Sequence, residues 1–245
     1  MKDTNSPDQA TTALKGVCLK KGGNRVFSEF DLQIWERRVG IIGRNGSGKS
    51  LLLRMIAGLI IPDAGEVRVN GVDVGNDRRK AISTVGILFQ NPDHQIIFPT
   101  VEEEIAFGLT QQGASKAEGW RMARDVLTRF GREAWAERSI QTLSQGQRHL
   151  VCLLAVVAMQ PALILLDEPF AGLDAPTTIK LTRHLSSLDQ SVIHVSHNLQ
   201  ILEAYERIIW IDGGQIRGDG APGPVIASYR EEMQEIGETD DFADL

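Results

Sequence analysis

The chain has 245 residues, 42% of them hydrophobic, so it is long enough to bury the core of one large α/β domain. Its net charge of −6 and isoelectric point near 5.4 argue against non-specific binding to nucleic acid or anionic lipid. The two cysteines are far apart in apolar surroundings, which favours buried, reduced thiols. The polar N-terminus predicts no signal peptide, and the longest apolar run, residues 150–159, is shorter than the roughly 20 residues that cross a bilayer.

The predicted elements begin after residues 1–12, a polar segment that we expect to be a disordered leader. Residues 14–70 are strand-like and turn-rich, apart from a helical pattern over residues 51–56. Within this part, Asn70-Gly71 predicts the tight turn of an antiparallel hairpin. We therefore expect an antiparallel β subdomain near the start of a domain that spans residues 13–230.

The sequence changes character over residues 91–160, where charged residues are interspersed at helical spacing and predict a helical subdomain inserted in the domain. Buried strands separated by helices imply an α/β fold with a mostly parallel sheet core and helices on both faces. Residues 231–245 are strongly acidic and predict a solvated tail. The apolar segments predicted as core strands are residues 39–42, 84–90, 163–166, 192–195 and 208–211.

The segment after the first core strand matches the phosphate-binding loop G-x-x-x-x-G-K-[ST]. Successive backbone N–H groups in such a loop point inward and bind phosphate oxygens, Lys49 reaches the terminal phosphates, and the Ser50 hydroxyl binds Mg²⁺. The motif needs a strand before it and a helix after it, and both are predicted here. The loop consists of Gly43, Arg44, Asn45, Gly46, Ser47, Gly48, Lys49 and Ser50.

Two adjacent acids follow the apolar run of residues 163–166. A buried strand delivers Asp167 at its C-terminal end to the position where proteins with a phosphate loop hold Mg²⁺. Glu168, one residue further on, is able to accept a proton from an attacking water. The loop and the two acids together predict a site that binds and hydrolyses a nucleotide.

These motifs and four others occur in the order found in ATP-binding-cassette ATPases, which the chain resembles over residues 14–225. The resemblance implies a P-loop ATP-binding cassette that uses ATP and Mg²⁺. The four further motifs are the Q-loop residue Gln90, the signature-like Leu143-Ser144-Gln145-Gly146-Gln147, the D-loop-like Ala171-Gly172-Leu173-Asp174 and the switch histidine His197.

The resemblance also implies a role for each of these positions. Glu168 and His197 are the expected catalytic residues, acting on the attacking water and the γ-phosphate. Mg²⁺ is expected at Ser50, Asp167 and Gln90, and Gln90 also couples the site to the helical subdomain. The other histidines lack such a context and are interpreted as structural: His94, His149, His184 and His194.

The signature residues are expected to act across a dimer. The motif begins a helix, whose exposed N-terminus attracts anions. In the family that anion is the γ-phosphate bound to the other subunit's phosphate loop, so two chains enclose two ATP molecules. The residues expected at this interface are Ser144, Gln145, Gly146 and Gln147 of the signature and Asp174 of the D-loop.

Three positions depart from the family pattern. Gln145 replaces the first signature glycine, but the usual phosphate donors Ser144 and Gly146 are retained. Leu51 stands where a threonine is frequent, and its backbone N–H remains to contact the nucleotide. Lys21 falls where the family stacks adenine on an aromatic ring, so we expect weaker or less selective base binding, or a nearby group that substitutes.

Residues 91–108 resemble the segment after the Q-loop in ATPases of energy coupling factor importers and related cobalt and nickel uptake systems, N-P-D-x-Q followed by P-T-V-E-x-[DE]-[IV]-A-F-G. An apolar patch edged by acids would suit a basic coupling helix of a membrane partner. Thr100 with Glu103 also predicts a capping box. The patch is Ile96, Ile97 and Phe98, and the acids are Glu102, Glu103 and Glu104.

In that branch two ATPases bind a transmembrane coupling subunit, and a small membrane protein captures the substrate. The resemblance therefore implies a peripheral protein at the cytoplasmic face of the cell membrane, in a homodimer or paired with a paralogue. Compact members serve biotin as well as cobalt or nickel uptake; we favour biotin and keep a cobalt or nickel importer as the alternative. A soluble cassette ATPase acting on nucleic acid or ribosomes is disfavoured by the acidic charge, and a P-loop kinase or GTPase by the signature and the absent N-K-x-D motif.

Overall fold

Two β-sheets and the helices packed on them form the part of the chain that the computed structural model describes, residues 11–170 and 173–239. The strands are β1 (Thr12–Lys21), β2 (Asn24–Ile34), β3 (Arg38–Ile42), β4 (Ala64–Val69), β5 (Val72–Asp73), β6 (Val85–Leu88), β7 (Leu163–Asp167), β8 (Ser191–Val195), β9 (Arg207–Asp212) and β10 (Gln215–Gly220). The helices are α1 (Lys49–Ile56), α2 (Arg78–Thr84), α3 (Val101–Gln111), α4 (Lys116–Arg129), α5 (Gln145–Ala158), α6 (Ala175–Ser186), α7 (Leu199–Leu202) and α8 (Pro222–Thr239).

The smaller sheet is antiparallel, in the order β2-β1-β4-β5, as the sequence predicts. The turn between β4 and β5 is Asn70-Gly71, with φ of 47° and 77°, which is the left-handed backbone that a two-residue hairpin turn requires. Most of the expected leader lies outside the described residues. Its last residue, Thr12, is buried and pairs with Ile34 and Val69, so the ordered strand starts before the expected domain boundary at residue 13.

The larger sheet has the order β10-β9-β3-β8-β7-β6, and all its neighbouring strands are parallel except β9 and β10. The prediction of a mostly parallel core is therefore confirmed. Because parallel strands end at the same edge of a sheet, the loop after β3 and the acids after β7 lie close together, with the end of β8 between them.

The helical subdomain has its own apolar core, formed by α3, α4 and one face of α5, with Ile105 and Leu127 fully buried in it. The opposite face of α5 belongs to the core against the large sheet, where Cys152 and Leu153 are buried. Helix α5 is thus shared by both cores. Both cysteines are free, and burial raises the pKa of Cys152 to about 12, whereas Cys18 is only half-buried.

The chain continues as helix where a solvated tail was expected. Helix α8 extends to Thr239, with Ile226 buried against β9 and Tyr229 in edge-to-face contact with Trp210. The acidic segment is therefore helical as far as residue 239, and residues 240–245 lie outside the described part. Within the described ranges no helix is both long and apolar enough to span a membrane.

Candidate functional site

The phosphate loop is bent by glycines with left-handed backbone. Gly43 has φ of 148° and Gly48 has φ of 104°. A Cβ atom on Gly43 would lie 2.0 Å from the carbonyl oxygen of Ile211, and one on Gly48 would lie 2.8 Å from the ring of Phe27. Only glycine fits these positions, because any side chain would collide with β9 or with the small sheet.

The loop closes around the ammonium group of Lys49. Its Nζ donates to the carbonyl oxygens of Gly43 at 2.8 Å and Arg44 at 2.7 Å, and the side chain is buried. Burial lowers the pKa of Lys49, while the charges of Glu168 and Asp167 oppose that shift. The site therefore holds a desolvated cation suited to binding phosphate, with two acids beside it.

Asp167 ends the fully buried strand β7 and faces the start of α1. Its Oδ1 accepts a hydrogen bond of 3.1 Å from the Ser50 hydroxyl. Burial raises the pKa of Asp167, and the bond from Ser50 opposes the shift. The pair offers two hard oxygen ligands, which fit Mg²⁺. Among the described residues there is no cluster of three histidines, cysteines or acids that could hold a metal ion.

Glu168 turns away from β7 with φ of 50°, an uncommon conformation for a residue other than glycine. Its N–H donates to the carbonyl of Val195 at 3.0 Å. The backbone N–H of His197 donates to Oε2 of Glu168 at 3.3 Å, and His197 Nε2 lies 3.4 Å from Oε1. Burial is the main cause that raises the pKa of Glu168, and His197 lowers it. A partly desolvated carboxylate oriented by a histidine is suited to accepting a proton.

These groups surround one cavity of about 220 Å³. The sequence analysis missed one lining residue, Val195, which ends β8 just before the switch motif. Three residues of the phosphate loop do not line the cavity. The carbonyl groups of Gly43 and Arg44 accept hydrogen bonds from Lys49, and Ser47 is buried. The lining residues are Asn45, Gly46, Gly48, Lys49, Ser50, Leu51, Gln90, Asp167, Glu168, Val195 and His197.

The signature residues do not line this cavity. Ser144 caps the N-terminus of α5: its hydroxyl accepts from the Gln147 N–H at 3.3 Å, and its own N–H donates to the Gln147 side chain at 3.0 Å. Gln147 thus has a capping role that the sequence analysis did not include. Gly146 approaches α6 closely, since a Cβ there would lie 3.0 Å from the Thr177 methyl group.

The D-loop is described only in part, because residues 171–172 lie outside the described ranges. Asp174 is exposed and caps α6 by accepting the Thr177 N–H at 2.8 Å, a contact that holds the pKa of Asp174 below its usual range. Lys21 is exposed at the end of β1 and does not line the cavity. The residues that line the cavity thus include no aromatic side chain on which adenine could stack.

The prediction that three acids edge the apolar patch is wrong for two of them. Glu104 is buried and accepts the N–H groups of Ile97 at 2.9 Å and Phe98 at 2.8 Å. Glu102 is buried and pairs with Arg124 at 2.7 Å. Both carboxylates therefore serve the fold of the subdomain rather than a partner.

The third acid, Glu103, remains beside an apolar cavity of about 330 Å³, with Phe98, Phe107 and Trp120 among its lining residues. The Thr100 hydroxyl donates to the Glu103 carboxylate at 2.6 Å and makes no capping bond to the helix backbone. The expected capping box is therefore absent at α3. Ile97 next to this cavity is 68% exposed, so an apolar surface is present even though its acidic edge is reduced to one residue.

A phosphate loop, a serine–aspartate pair with oxygens that suit Mg²⁺ and a glutamate–histidine contact lie in one cavity, as in the site of a P-loop ATPase. The family model described as ABC transporter matches residues 28–171, more than half of the sequence. The chain belongs to this family, and it is an ATP-binding and ATP-hydrolysing cassette.

Two relatives match almost the whole chain. The biotin transport ATP-binding protein BioM of Rhodobacter capsulatus is 50% identical over 220 residues, which cover 90% of this chain and 94% of that protein. BioM of Rhizobium etli is 40% identical over 210 residues, which cover 85% of this chain and 93% of that protein.

Two solved structures share the fold. The ATP-binding cassette MJ0796, a dimer in a post-hydrolysis state bound to ADP and Pi, matches with a TM-score of 0.76 and 28% identity, over 86% of this chain and 98% of that chain. The cbiO1 protein of Clostridium perfringens, part of the ABC transporter complex cbiONQ, matches with a TM-score of 0.77 and 24% identity, over 94% of this chain and 96% of that chain. Both likenesses agree with the α/β cassette architecture of this chain.

Proposed function

We propose that this chain is the ATPase subunit of an energy coupling factor-type importer, and that the imported substrate is biotin. The observation that carries the proposal is the 50% identity to a biotin transport ATP-binding protein over nearly the full length of both chains. The likeness to cbiO1, at 24% identity, concerns the fold alone and does not bear on the substrate. The alternative of a cobalt or nickel importer is therefore kept as an outcome of the test.

The cavity supports ATP hydrolysis by this chain's own residues. Lys49 would exchange its bonds to the loop carbonyls for the β- and γ-phosphates, which are stronger, charge-assisted acceptors. Mg²⁺ would be held by Ser50, Asp167 and Gln90, which line the same cavity, and it would neutralise charge on the phosphates. Ser50 and Asp167 are already in contact in the folded chain, so little reorganisation is needed.

Glu168 would accept the proton of the attacking water, and His197 would orient that water against the γ-phosphate. The contacts between these two residues support the assignment, because the His197 backbone N–H donates to Oε2 of Glu168 and the His197 ring lies 3.4 Å from Oε1. Burial raises the pKa of Glu168, which makes the carboxylate a stronger proton acceptor.

The site is completed by a second ATPase subunit. In one chain the signature residues stay outside the cavity, yet the N-terminus of α5 at Ser144 is exposed and suited to an anion. The relative MJ0796 forms a dimer with bound ADP and Pi. We infer a homodimer in which Ser144 and Gly146 of each subunit contact the γ-phosphate in the other, with Asp174 close to the shared interface.

A transmembrane coupling subunit is the proposed partner of the helical subdomain, and a small membrane protein would capture the substrate. The apolar cavity beside Phe98 and Trp120, with the exposed Ile97 and the single acid Glu103, supports docking of an amphipathic, basic helix. The chain would then be a peripheral protein at the cytoplasmic face of the cell membrane. Its acidic charge supports no role with nucleic acid.

Uptake of labelled biotin in cells of the source organism tests the substrate. Cells that lack the chromosomal copy are complemented with the wild-type chain or with Glu168→Gln, which removes the proposed base without changing the size of the side chain. Biotin uptake that returns with the wild type but not with the variant supports the proposal. Restored uptake of Co²⁺ or Ni²⁺ instead of biotin would assign the alternative importer.

A further inference from the structure

A second cavity, of about 270 Å³, lies between α6 and the end of α7, and it shares no lining residue with the nucleotide cavity. Phe170, Leu185 and Ile201 give this α6–α7 cavity an apolar wall. An apolar cavity of about 150 Å³ is enough to hold benzene, so the α6–α7 cavity has room for a ring and a further group, about ten non-hydrogen atoms. Its size therefore fits a small organic molecule.

Among the described residues that line the α6–α7 cavity, Arg38 alone carries a charge. Its guanidinium donates to the carbonyl oxygens of Arg37, Leu188 and Gln190. These bonds use three of its five N–H groups, and the Nε–H group is one of the two that find no acceptor in residues 11–170 and 173–239. The bonds hold the side chain in place beside the cavity and leave two donors for a ligand.

Arg38 makes no ion pair with a carboxylate of the described chain. Burial, the largest effect, lowers the pKa of Arg38. Arg37 adds positive charge nearby, and Glu206 and Asp189 offset it from a distance without pairing with the guanidinium. A half-buried cation without a paired anion is unfavourable, and a bound carboxylate would supply the missing charge.

Tyr205 offers a further donor in the wall of the α6–α7 cavity. Its hydroxyl lies 2.8 Å from Nδ1 of His194, a fully buried ring whose Nε2 has no hydrogen-bond partner in the part of the chain described. A buried N–H without an acceptor is rarer than a buried lone pair without a donor, so we assign the ring proton to Nδ1. The Tyr205 oxygen then accepts this bond, and its own proton is available to a ligand.

The α6–α7 cavity adjoins the segments that carry the proposed catalytic pair. Phe170 comes shortly after Glu168, and its ring meets that of His194 edge to face, with centroids 5.5 Å apart. His194 lies on β8, the strand that leads to His197. A molecule held against Phe170 and Tyr205 would therefore restrain both segments, which have to adjust when the site turns over ATP.

We propose that the α6–α7 cavity binds a small organic monocarboxylate with an apolar body, and that the bound acid slows ATP hydrolysis. The carboxylate accepts hydrogen bonds from Arg38 and from the Tyr205 hydroxyl, and the apolar body lies against Phe170. The site goes beyond the proposed importer function and does not depend on it, because binding needs neither a nucleotide nor a membrane partner.

Benzoate and benzamide are a matched pair of probes, since they have the same size and only benzoate carries a charge. Ligand-observed NMR with the full-length chain should give a dissociation constant for benzoate of about 1 mM or lower, as expected of a ligand with so few atoms. The dissociation constant for benzamide should be at least about tenfold higher. Equal affinities, or no binding of benzoate at about ten times that concentration, would overturn the proposal.

Two variants locate the bound benzoate. Ala204 is exposed at the mouth of the α6–α7 cavity, so Ala204→Trp closes the mouth without removing a bond of Arg38. It should weaken benzoate binding by about tenfold or more. Ala117→Trp, at an exposed position of α4, is the control and should bind benzoate like the wild type. Equal binding to all three proteins would place benzoate elsewhere and overturn the site.

If thermal unfolding shows that Ala204→Trp is not folded, Tyr205→Phe takes its place. This variant keeps the ring and removes the hydroxyl, and it should weaken benzoate binding by about threefold to tenfold, the effect of one hydrogen bond to a charged group. An unchanged affinity for benzoate would overturn the proposed contact with Tyr205.

Steady-state ATPase kinetics test the effect on turnover. Saturating benzoate should lower kcat of the wild type by about twofold to fivefold, with the KM for ATP nearly unchanged because the two cavities share no lining residue. The kcat of Ala204→Trp should not respond to benzoate. Bound benzoate that leaves kcat unchanged would overturn the effect on hydrolysis. ATP binding that survives Lys49→Ala unchanged would contradict the nucleotide site instead, so the two failures are distinguished.

Discussion

The Ser50 hydroxyl lies 3.1 Å from Asp167 Oδ1, although the two residues are 117 positions apart in the sequence. The contact exists because β3 and β7 are parallel and end at one edge of the sheet, with β8 between them. Helix α1 starts after the loop that follows β3 and brings Ser50 to the end of β7. The fold thus brings together two oxygen atoms of the kind that suits Mg²⁺.

Replacing Asp167 with Asn should raise the Mg²⁺ concentration needed for half-maximal ATPase activity and lower kcat by about a hundredfold. The amide keeps the hydrogen bond from Ser50 but removes the negative charge that holds the cation. A titration of activity with Mg²⁺ measures the effect. Asp77→Asn is the control, since Asp77 caps α2 and pairs with Lys80 at the surface, away from the cavity. An unchanged Mg²⁺ requirement in Asp167→Asn would contradict the assigned cation site.

Replacing Lys21 with Tyr should strengthen ATP binding by about fivefold or more, because an aromatic ring at this position would stack on the adenine. Lys21 is exposed at the end of β1, so the larger side chain meets no packing obstacle. The measurement compares dissociation constants for ATP and for inorganic tripolyphosphate. Only ATP should gain affinity; an equal gain for tripolyphosphate, or none for ATP, would mean that the base does not lie at Lys21.

His194 should make the protein less stable as the pH falls. The ring is fully buried, its Nδ1 bonds to the Tyr205 hydroxyl at 2.8 Å, and burial lowers the pKa of His194 to about 3. The unfolded chain takes up a proton near pH 6.5, whereas the folded chain does not until about pH 3. The contribution of neutral His194 to the free energy of unfolding is therefore fully present above pH 6.5. It decreases as the pH falls, by about 2 kcal/mol between pH 6.5 and pH 5.

The variant His194→Gln tests this linkage, because Gln can still bond to Tyr205 but does not titrate in this range. Denaturant unfolding at pH 7 and pH 5 gives the free energy of unfolding for both proteins. The wild type should lose about 2 kcal/mol more than the variant over this interval. Equal losses would show that His194 is protonated in the folded state.

The catalytic cavity was predictable because each of its parts is a short run of residues at the end of a strand. The phosphate loop follows β3, Asp167 and Glu168 follow β7, and His197 follows β8, so a parallel sheet is enough to bring them together. That these residues meet at one edge of the sheet therefore follows from the sequence pattern and the strand order, without knowledge of side-chain directions. The roles of these residues in catalysis remain predictions for the experiments above.

Features that depend on the direction of a side chain were not predictable. Three successive acids at the start of α3 look equally exposed in the sequence, yet Glu102 and Glu104 are buried and bonded while Glu103 is not buried. The acidic residues after 230 also gave no indication that α8 continues through them, because its buried positions are few and widely spaced.

The central claim, that this ATPase drives a membrane importer, is tested most directly by isolating the tagged Glu168→Gln protein from native membranes with ATP and Mg²⁺. The variant should bind ATP and stay in the closed dimer because it lacks the proton acceptor for hydrolysis. Identification of the co-purifying proteins by mass should reveal a second ATPase subunit or copy and two integral membrane proteins. Recovery of soluble or ribosomal proteins alone would contradict the transport function and leave only the ATPase assignment.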